Sequence, residues 1–205
     1  MTSPRSAILV FVRAPEAGRV KTRLAAEIGA EAALRVYVRL AEHALAEARA
    51  AGAEVRVHFT PAEAEATVRG WLGSSAAYLP QGEGELGERL HRAFDQAFAD
   101  GFERVLVIGS DLPGLSAGRL RRALELLEER GAVLGPAWDG GYYLLGLRAP
   151  VPGVFEGIPW STERVLARTL ERLRAAGVEP ALLEPLRDVD RAADLPPGWR
   201  EWTEG

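Results

Sequence analysis

Short apolar runs alternate with longer segments of helical periodicity along most of this chain, and this alternation limits the possible folds more than any other feature. The apolar runs are rich in β-branched residues and end in polar loops, whereas the longer segments repeat apolar residues three and four positions apart. The predicted strands cover residues 7–12, 54–60, a short piece around 78, 104–109, 132–135, 142–147 and 181–183. The predicted helices cover residues 23–50, with a candidate break at Gly29, then 62–72, 86–99, 116–130 and 162–176, with a short turn at 191–195.

Strands that alternate with helices of this length predict an α/β fold, a three-layer sandwich in which helices cover both faces of a mostly parallel central sheet. At 205 residues the chain is expected to form one domain, over residues 1–205. Ligands of such folds bind in the crevice beyond the carboxyl ends of the strands. The loops that follow the predicted strands are therefore the places where a site is expected.

The composition excludes several classes of function. Without cysteine, the chain has no disulfide, no thiolate nucleophile and no zinc–thiolate site. A net charge of -4 and a pI near 5.5 argue against a nucleic-acid partner, which calls for a basic surface. The apolar runs fall short of the roughly 20 residues that span a bilayer, so we expect no membrane partner and a cytoplasmic protein. The scarcity of amide side chains resembles the composition of thermophile proteins.

The loop after the first strand concentrates positive charge around a glycine. It contains Arg13, Gly18, Arg19, Lys21 and Arg23, and Lys21 is the one lysine in a chain with 25 basic residues. A glycine allows close approach of the backbone to a ligand, and an ammonium group contacts a phosphate as a compact point charge that arginine does not mimic. We interpret the loop as a polyphosphate-binding loop with Lys21 as a catalytic residue. A solvated basic loop is the alternative, and neither a Walker A loop nor a Gly-x-Gly-x-x-Gly loop is present.

Acidic side chains follow two other predicted strands. Asp111 comes directly after the apolar strand 104–109, where a carboxylate on a rigid element is well placed to bind a hard cation. Asp190 lies in the acidic stretch near the C-terminus and offers a second carboxylate. We interpret both as ligands of Mg²⁺ or Mn²⁺ and Asp111 also as a catalytic residue. A turn before Pro113 and a helix N-cap are the alternative explanations for Asp111 and Asp190 respectively.

A third loop combines an acid, paired glycines and aromatic residues. Asp139, Gly140, Gly141 and Tyr142 stand between two predicted strands, and Trp160 precedes a predicted helix. Paired glycines allow a ligand to approach the backbone, and Asp139 can accept hydrogen bonds from sugar hydroxyls, so all five are predicted to bind substrate. Asp139 is also the alternative to Asp190 as the second metal ligand. A plain hairpin turn explains Asp-Gly almost as well, and a capped helix with a packing tryptophan explains Trp160.

Taken together, these motifs resemble those of a known family. The motifs are Phe11-Val-Arg-Ala-Pro-x-x-Gly18-x-x-Lys21-Thr-Arg23-Leu24, Gly84-x-Leu-Gly87-x-Arg89, Gly109-Ser-Asp111-x-Pro113, Gly135-Pro-x-x-Asp139-Gly-Gly-Tyr142 and Trp160-Ser161. In this order they resemble the rSAM/selenodomain-associated transferase 1 family, which is glycosyltransferase-like. The resemblance implies the GT-A, or nucleotide-diphospho-sugar transferase, fold.

The first loop and the C-terminal acids are also similar to those of 2-phospho-lactate guanylyltransferase and, more distantly, molybdenum cofactor guanylyltransferase. In those relatives the glycine and lysine loop holds a triphosphate and the acids hold Mg²⁺, which this resemblance carries to Gly18, Lys21, Asp111 and Asp190. The expected ligands are therefore a nucleoside di- or triphosphate or a nucleotide sugar, together with a small-molecule acceptor. The sequence indicates no oligomeric state.

Three functions remain open at this point. The first is transfer from a nucleotide sugar, and the second is nucleotidyl transfer from a nucleoside triphosphate to a small phosphorylated substrate. Glycosyltransferases of this fold usually carry an Asp-x-Asp pair at the metal strand, whereas Gly109-Ser110-Asp111 supplies one acid there. A nucleotide-binding module without catalytic activity is the third.

Overall fold

A computed structural model of the chain describes residues 4–199 and contains one seven-stranded sheet with helices on both faces. The strands are β1 (Ser6–Arg13), β2 (Glu54–Thr60), β3 (Ala77–Pro80), β4 (Arg104–Ile108), β5 (Ala132–Pro136), β6 (Tyr142–Leu147) and β7 (Ala181–Leu182). The helices are α1 (Thr22–Ile28), α2 (Ala30–Ala50), α3 (Glu65–Leu72), α4 (Leu86–Ala99), α5 (Ala117–Glu129) and α6 (Val165–Ala175), with 3₁₀ turns at Ala62–Ala64 and Ala192–Asp194. The single domain predicted for residues 1–205 includes residues 1–3 and 200–205, which lie outside the described part.

The sheet has the order β3-β2-β1-β4-β6-β5-β7 and is mostly parallel, as predicted. Only β6 runs against its neighbours, because it pairs antiparallel with both β4 and β5 and forms a hairpin with the latter. From β1 the chain first adds strands on one side, β2 and β3, and then adds β4 on the other. The carboxyl ends of β1 and β4 therefore border the point where the strand order reverses, which is where open α/β sheets bind ligands.

Alternation of side chains along the buried strands produces two cores, one on each face of the sheet. In β1, Ile8 and Val10 belong to the cluster that packs against α2, α3 and α5, whereas Leu9 belongs to the cluster that packs against α4. β4 divides in the same way, with Leu106 on the first face and Val107 on the second. A strand with apolar side chains on both faces buries them only as a central strand that helices cover on both sides. The prediction of a three-layer fold is therefore confirmed.

Local sequence signals explain some of the helix bounds. Ser116 caps α5 as predicted, because its Oγ accepts a hydrogen bond from the Arg119 backbone N–H at 3.3 Å. Gly29 breaks the predicted helix 23–50 into α1 and α2, since its φ of 88° lies in a region that glycine adopts readily. The predicted helix 162–176 begins at Val165, and 62–72 starts as a 3₁₀ turn. Among the described residues, no helix combines the length and apolarity that a bilayer crossing requires.

Two glycines provide a test of the side-chain packing around β6. A Cβ at Gly146 would lie 2.5 Å from side-chain carbons of both Leu106 and Val133, whereas a Cβ at Gly70 in α3 would meet nothing within 4 Å. We expect Gly146→Ala to lower the free energy of unfolding by about 1–3 kcal/mol, the usual cost of overpacking. Gly70→Ala, the control, should leave stability unchanged or raise it by about 0.5–1 kcal/mol because alanine favours helix. Urea denaturation measures both, and equal midpoints would contradict the packing of this face.

Candidate functional site

The first loop leaves the sheet at the end of β1, where Tyr37 from α2 holds its backbone. The Tyr37 hydroxyl accepts a hydrogen bond from the Arg13 N–H and donates one to the Arg13 carbonyl, both at 2.7 Å. Burial is the main reason that the pKa of Tyr37 rises to about 12, so this hydroxyl stays protonated. A turn follows in which the Arg19 N–H donates to the Glu16 carbonyl, and Gly18 supplies the positive φ of 76° that such a turn needs.

Lys21 points from the end of this loop into the centre of the site. Its backbone adopts the left-handed conformation, with φ and ψ of 47°, immediately before α1. Its side chain is only 8% exposed, and its Nζ lies 3.0 Å from Asp111 Oδ2 and 3.5 Å from Asp190 Oδ1. Non-glycine residues seldom adopt this conformation, and those that do often lie at functional sites. The one lysine of the chain is therefore a buried cation held between two carboxylates, not a surface residue.

The acids come from two separate segments that meet beyond the sheet. Asp111 follows β4, while Asp188 and Asp190 follow β7, and a hydrogen bond from the Val189 N–H to the Asp111 carbonyl at 3.2 Å ties the two segments together. One oxygen from each of the three carboxylates lies within 4.8 Å of the others. Oxygen ligands from several carboxylates are what Mg²⁺ and Mn²⁺ prefer, so these residues fit a divalent cation.

Asp188 was not among the metal ligands predicted from the sequence. It stands two positions before Asp190 in a segment without regular secondary structure, and the structure brings both carboxylates close to Asp111. That spacing was the signal that could have identified it. Partial burial, followed by the charges of Asp111, Asp190 and Asp139, raises the pKa of Asp188 to about 6. A cation bound nearby would therefore stabilise the ionised form of this carboxyl group.

The remaining cations of the first loop have different partners. The Arg23 Nη1 lies 2.7 Å from Asp190 Oδ2, so this guanidinium also contacts the acidic cluster. Arg13 donates from Nη1 to the Arg19 carbonyl at 3.1 Å, and the exposed Arg19 forms an ion pair of 3.0 Å with Glu16. α1 has only seven residues, so the charges of the loop, rather than a long helix, account for any attraction of anions.

Most of these groups line one open cleft of about 620 Å³, within the size range of small-molecule sites. Gly18, which was predicted to bind nucleotide, and Asp188 are not among the lining residues. Its walls include residues that sequence reasoning did not select, among them Gln81, Leu86 and Arg89. The buried Gln81 side chain donates from Nε2 to the carbonyls of Val12 at 3.1 Å and His58 at 2.9 Å, which fixes its amide against β1 and β2. Arg89 lies in the motif Gly84-x-Leu-Gly87-x-Arg89, which had supported the family resemblance without being assigned a role.

The five residues predicted to bind substrate do not line this cleft. Asp139 accepts a hydrogen bond from the Gly141 N–H at 2.8 Å within the β5–β6 hairpin. Gly140 has φ 87°, and a Cβ there would lie 2.2 Å from the Glu163 carbonyl oxygen, so close packing alone explains this glycine. Trp160 packs edge-on against Tyr142, with ring centroids 6.5 Å apart. Only Asp139 is electrostatically linked to the acidic cluster, through Asp188, and substrate binding by this group stays a prediction.

Comparison with known proteins identifies relatives of the same fold. The family model described as an uncharacterized protein conserved in bacteria, DUF2064, matches residues 43–162. A protein from Desulfovibrio desulfuricans G20 that is named as a nucleotide-diphospho-sugar transferase superposes with a TM-score of 0.87. It is 37% identical in sequence, and the match covers 91% of this chain and 82% of that one. The GT-A type of α/β fold implied by the motif resemblance is thereby confirmed.

Two further relatives have informative names. The phosphoenolpyruvate guanylyltransferase of Sphaerobacter thermophilus is 28% identical over 182 residues, which cover 85% of this chain and 84% of the relative. Rv0371c from Mycobacterium tuberculosis H37Rv, whose structure was solved with manganese, matches over the full length of both chains with a TM-score of 0.59 and 16% identity. At that identity the second match supports the fold alone.

The raised pKa of Asp188 makes the stability of the protein depend on pH. Between about pH 3.8 and pH 6 the folded state binds more protons than the unfolded state, so the free energy of unfolding falls as pH rises through this window and stays lower above it. Asp188→Asn removes this penalty. Without divalent metal, we expect the variant to melt at a higher temperature than the wild type at pH 7.5 and at nearly the same temperature near pH 4.

Differential scanning fluorimetry across this pH range measures the effect, with Glu129→Gln at the exposed end of α5 as the control for loss of one negative charge. Added Mn²⁺ should raise the melting temperature of the wild type more than that of Asp188→Asn, because the variant lacks one of the three carboxylates. Identical pH profiles for wild type and Asp188→Asn would contradict the electrostatic coupling of the cluster.

Proposed function

The chain belongs to the DUF2064 family, and from this membership and the site we propose that it is a metal-dependent nucleotidyltransferase, joining a nucleoside triphosphate to a small phosphorylated acceptor. The observation that carries the proposal is the meeting of Lys21 with Asp111 and Asp190 in a cleft whose walls are otherwise rich in arginine. Cationic side chains next to a candidate metal site in one cleft are an arrangement that suits a polyphosphate.

The charges of the cleft favour a triphosphate over a diphosphate. Five cationic side chains line it, namely Arg13, Arg19, Lys21, Arg23 and Arg89. Lys21 and Arg23 contact the carboxylates of the acidic cluster, and Arg19 contacts Glu16. A bound polyphosphate can therefore form ion pairs with cationic side chains from several parts of the cleft wall. A ligand with three phosphate groups can form ion pairs with more of these cations than a ligand with two. The guanylyltransferase name of the Sphaerobacter relative supports the same choice.

A divalent ion would be held by Asp111, Asp188 and Asp190, and its chemistry would be to neutralise phosphate charge and polarise the scissile bond. Lys21 and the loop arginines would bind the β- and γ-phosphates. The loop backbone would orient the triphosphate so that the acceptor attacks in line with the bond that breaks. An acceptor phosphate oxygen attacks the α-phosphorus, a new P–O bond forms, the α–β bond breaks and pyrophosphate leaves. Lys21 would stabilise the negative charge that develops on that leaving group.

Transfer from a nucleotide sugar is the second candidate. The name of the Desulfovibrio relative supports it, and the same cleft can hold a nucleoside diphosphate as leaving group. The resemblance to the rSAM/selenodomain-associated transferase 1 family supports it as well. Asp139, Gly140, Gly141, Tyr142 and Trp160 would then bind the sugar or its acceptor from the β5–β6 side.

Ligand-dependent melting tests the shared premise and distinguishes the two candidates. A ligand that binds only the folded state adds about 2.7 kcal/mol of stability at a hundredfold excess over its Kd. We expect a nucleoside triphosphate with Mg²⁺ to raise the melting temperature, with a much smaller shift in EDTA, and turnover with phosphoenolpyruvate or another phosphorylated acid to release pyrophosphate. A response to a nucleotide sugar, with release of nucleoside diphosphate, would favour glycosyl transfer. No response to any nucleotide would contradict both.

Substitution of the two central residues tests their roles. Asp111→Asn keeps the shape but loses the charge, so we expect it to abolish metal-dependent turnover. Lys21→Arg should lose on the order of a hundredfold in kcat/KM, because a planar guanidinium does not reproduce an ammonium between two carboxylates and a phosphate. The reciprocal exchange Arg122→Lys, on an exposed side chain of α5 outside the cleft, is the matched control and should keep full activity. Near wild-type turnover in Lys21→Arg would remove Lys21 from the mechanism.

A further inference from the structure

Two cations of the first loop are already bonded to the carboxylates that fit a divalent metal. Lys21 Nζ lies 3.0 Å from Asp111 Oδ2 and 3.5 Å from Asp190 Oδ1, and Arg23 Nη1 lies 2.7 Å from Asp190 Oδ2. Lone pairs that accept these hydrogen bonds are not free to bind a metal ion. The acidic cluster therefore has an internal cation as well as the ability to bind an external one.

The two cations differ in how strongly they depend on the acids. The Lys21 side chain is only 8% exposed, so its ammonium has little water to replace the carboxylates if they are taken from it. The Arg23 side chain is 67% exposed and can be hydrated without them. Because removing a buried charge from its partner is costly, a metal ion that takes Asp111 and Asp190 from Lys21 leaves an unfavourable buried ammonium behind.

We propose that Lys21 competes with the divalent metal for Asp111 and Asp190, so that this site binds metal tightly only together with a polyphosphate. The ligand that the cleft accepts is then a metal–polyphosphate complex, and free metal is discriminated against. This inference rests on the proposed function in one respect, that a polyphosphate occupies the cleft beside Lys21. Its phosphates provide the anionic partner that Lys21 needs once the metal holds the carboxylates.

Thermodynamic linkage makes the effect reciprocal. If a polyphosphate strengthens metal binding by drawing Lys21 away from the acids, the metal strengthens polyphosphate binding by the same factor, because it releases Lys21 to the phosphates. Without Lys21 the cluster has no buried cation to exchange, and only the exposed Arg23 remains bonded to Asp190. The coupling should then shrink to the direct attraction between metal and phosphate.

Metal binding without nucleotide tests the competition directly. In a titration of the full chain with Mn²⁺ alone, followed by the EPR signal of the free ion, we expect Lys21→Met to bind Mn²⁺ about tenfold or more tightly than the wild type. The factor reflects the one to three pKa units by which a neighbouring cation typically stabilises an ionised carboxylate. Arg19→Met is the matched control, since it removes a positive charge from the same loop without touching the acids, and its Mn²⁺ affinity should change by less than about twofold.

A second arm measures the coupling with inorganic tripolyphosphate, which needs no knowledge of the base. Calorimetry should show that Mn²⁺ strengthens tripolyphosphate binding to the wild type by a larger factor than to Lys21→Met. The double variant Asp111→Asn/Lys21→Met should lose the gain in Mn²⁺ affinity, and this loss would identify Asp111 as the origin of the gain. Thermal melts check that each variant is folded. Equal Mn²⁺ affinities of wild type and Lys21→Met would overturn the inference of competition. Nucleotide turnover by the wild type would still support the proposed function in that case.

Discussion

The parallel pairing of β1 with β4 is the contact on which the arrangement of charges depends. Its register places Val10 opposite Ile108, so the two strands deliver their loops to the same edge of the sheet. Lys21 and Asp111 are 90 positions apart in the chain, yet their charged groups lie 3.0 Å apart. β2 and β3 lie on one side of this pair and β6, β5 and β7 on the other. Among the described residues, the connections therefore diverge from the carboxyl ends of β1 and β4, and a cleft remains open there.

The fold and part of the site could be predicted from the sequence because they follow from local patterns. Apolar runs of strand length identify central strands, and Lys21, Asp111 and Asp190 stand in the loops that follow strands, where ligands of such folds bind. The structure brings these three together, although their roles remain predictions. A role for Asp188 was not predicted, because the path of residues 187–190, which have no regular secondary structure, decides whether both acids of the Asp-x-Asp stretch approach Asp111.

Other features depend on contacts between distant segments, which no local pattern reports. Gly140 was interpreted as space for a ligand, but the Glu163 carbonyl oxygen fills that space from the turn before α6. Trp160 and Tyr142 contact each other, and a Cβ at Gly87 would lie 2.8 Å from the Trp160 indole nitrogen, so both rings contribute to packing around α4. An aromatic residue next to glycine has the same sequence signature whether it binds a sugar or fills a gap between helices.

The hydrogen bond from Val189 to Asp111 has a consequence for how the protein matures on the ribosome. Asp188 and Asp190 follow every strand of the sheet in chain order, so all seven strands are synthesised before two of the three clustered carboxylates emerge. The polyphosphate loop and Asp111 are present much earlier. The same segment also completes the hydrophobic packing, because the buried Val189 and Leu195 cluster with Leu24, Val36 and Leu40 of α1 and α2. The full set of acids is therefore assembled when the C-terminal segment docks beside β4 and on these two helices. Completion of the core over α1 and α2 and competence to bind a cation in this cleft therefore depend on one and the same segment, which couples the end of folding to the start of chemistry.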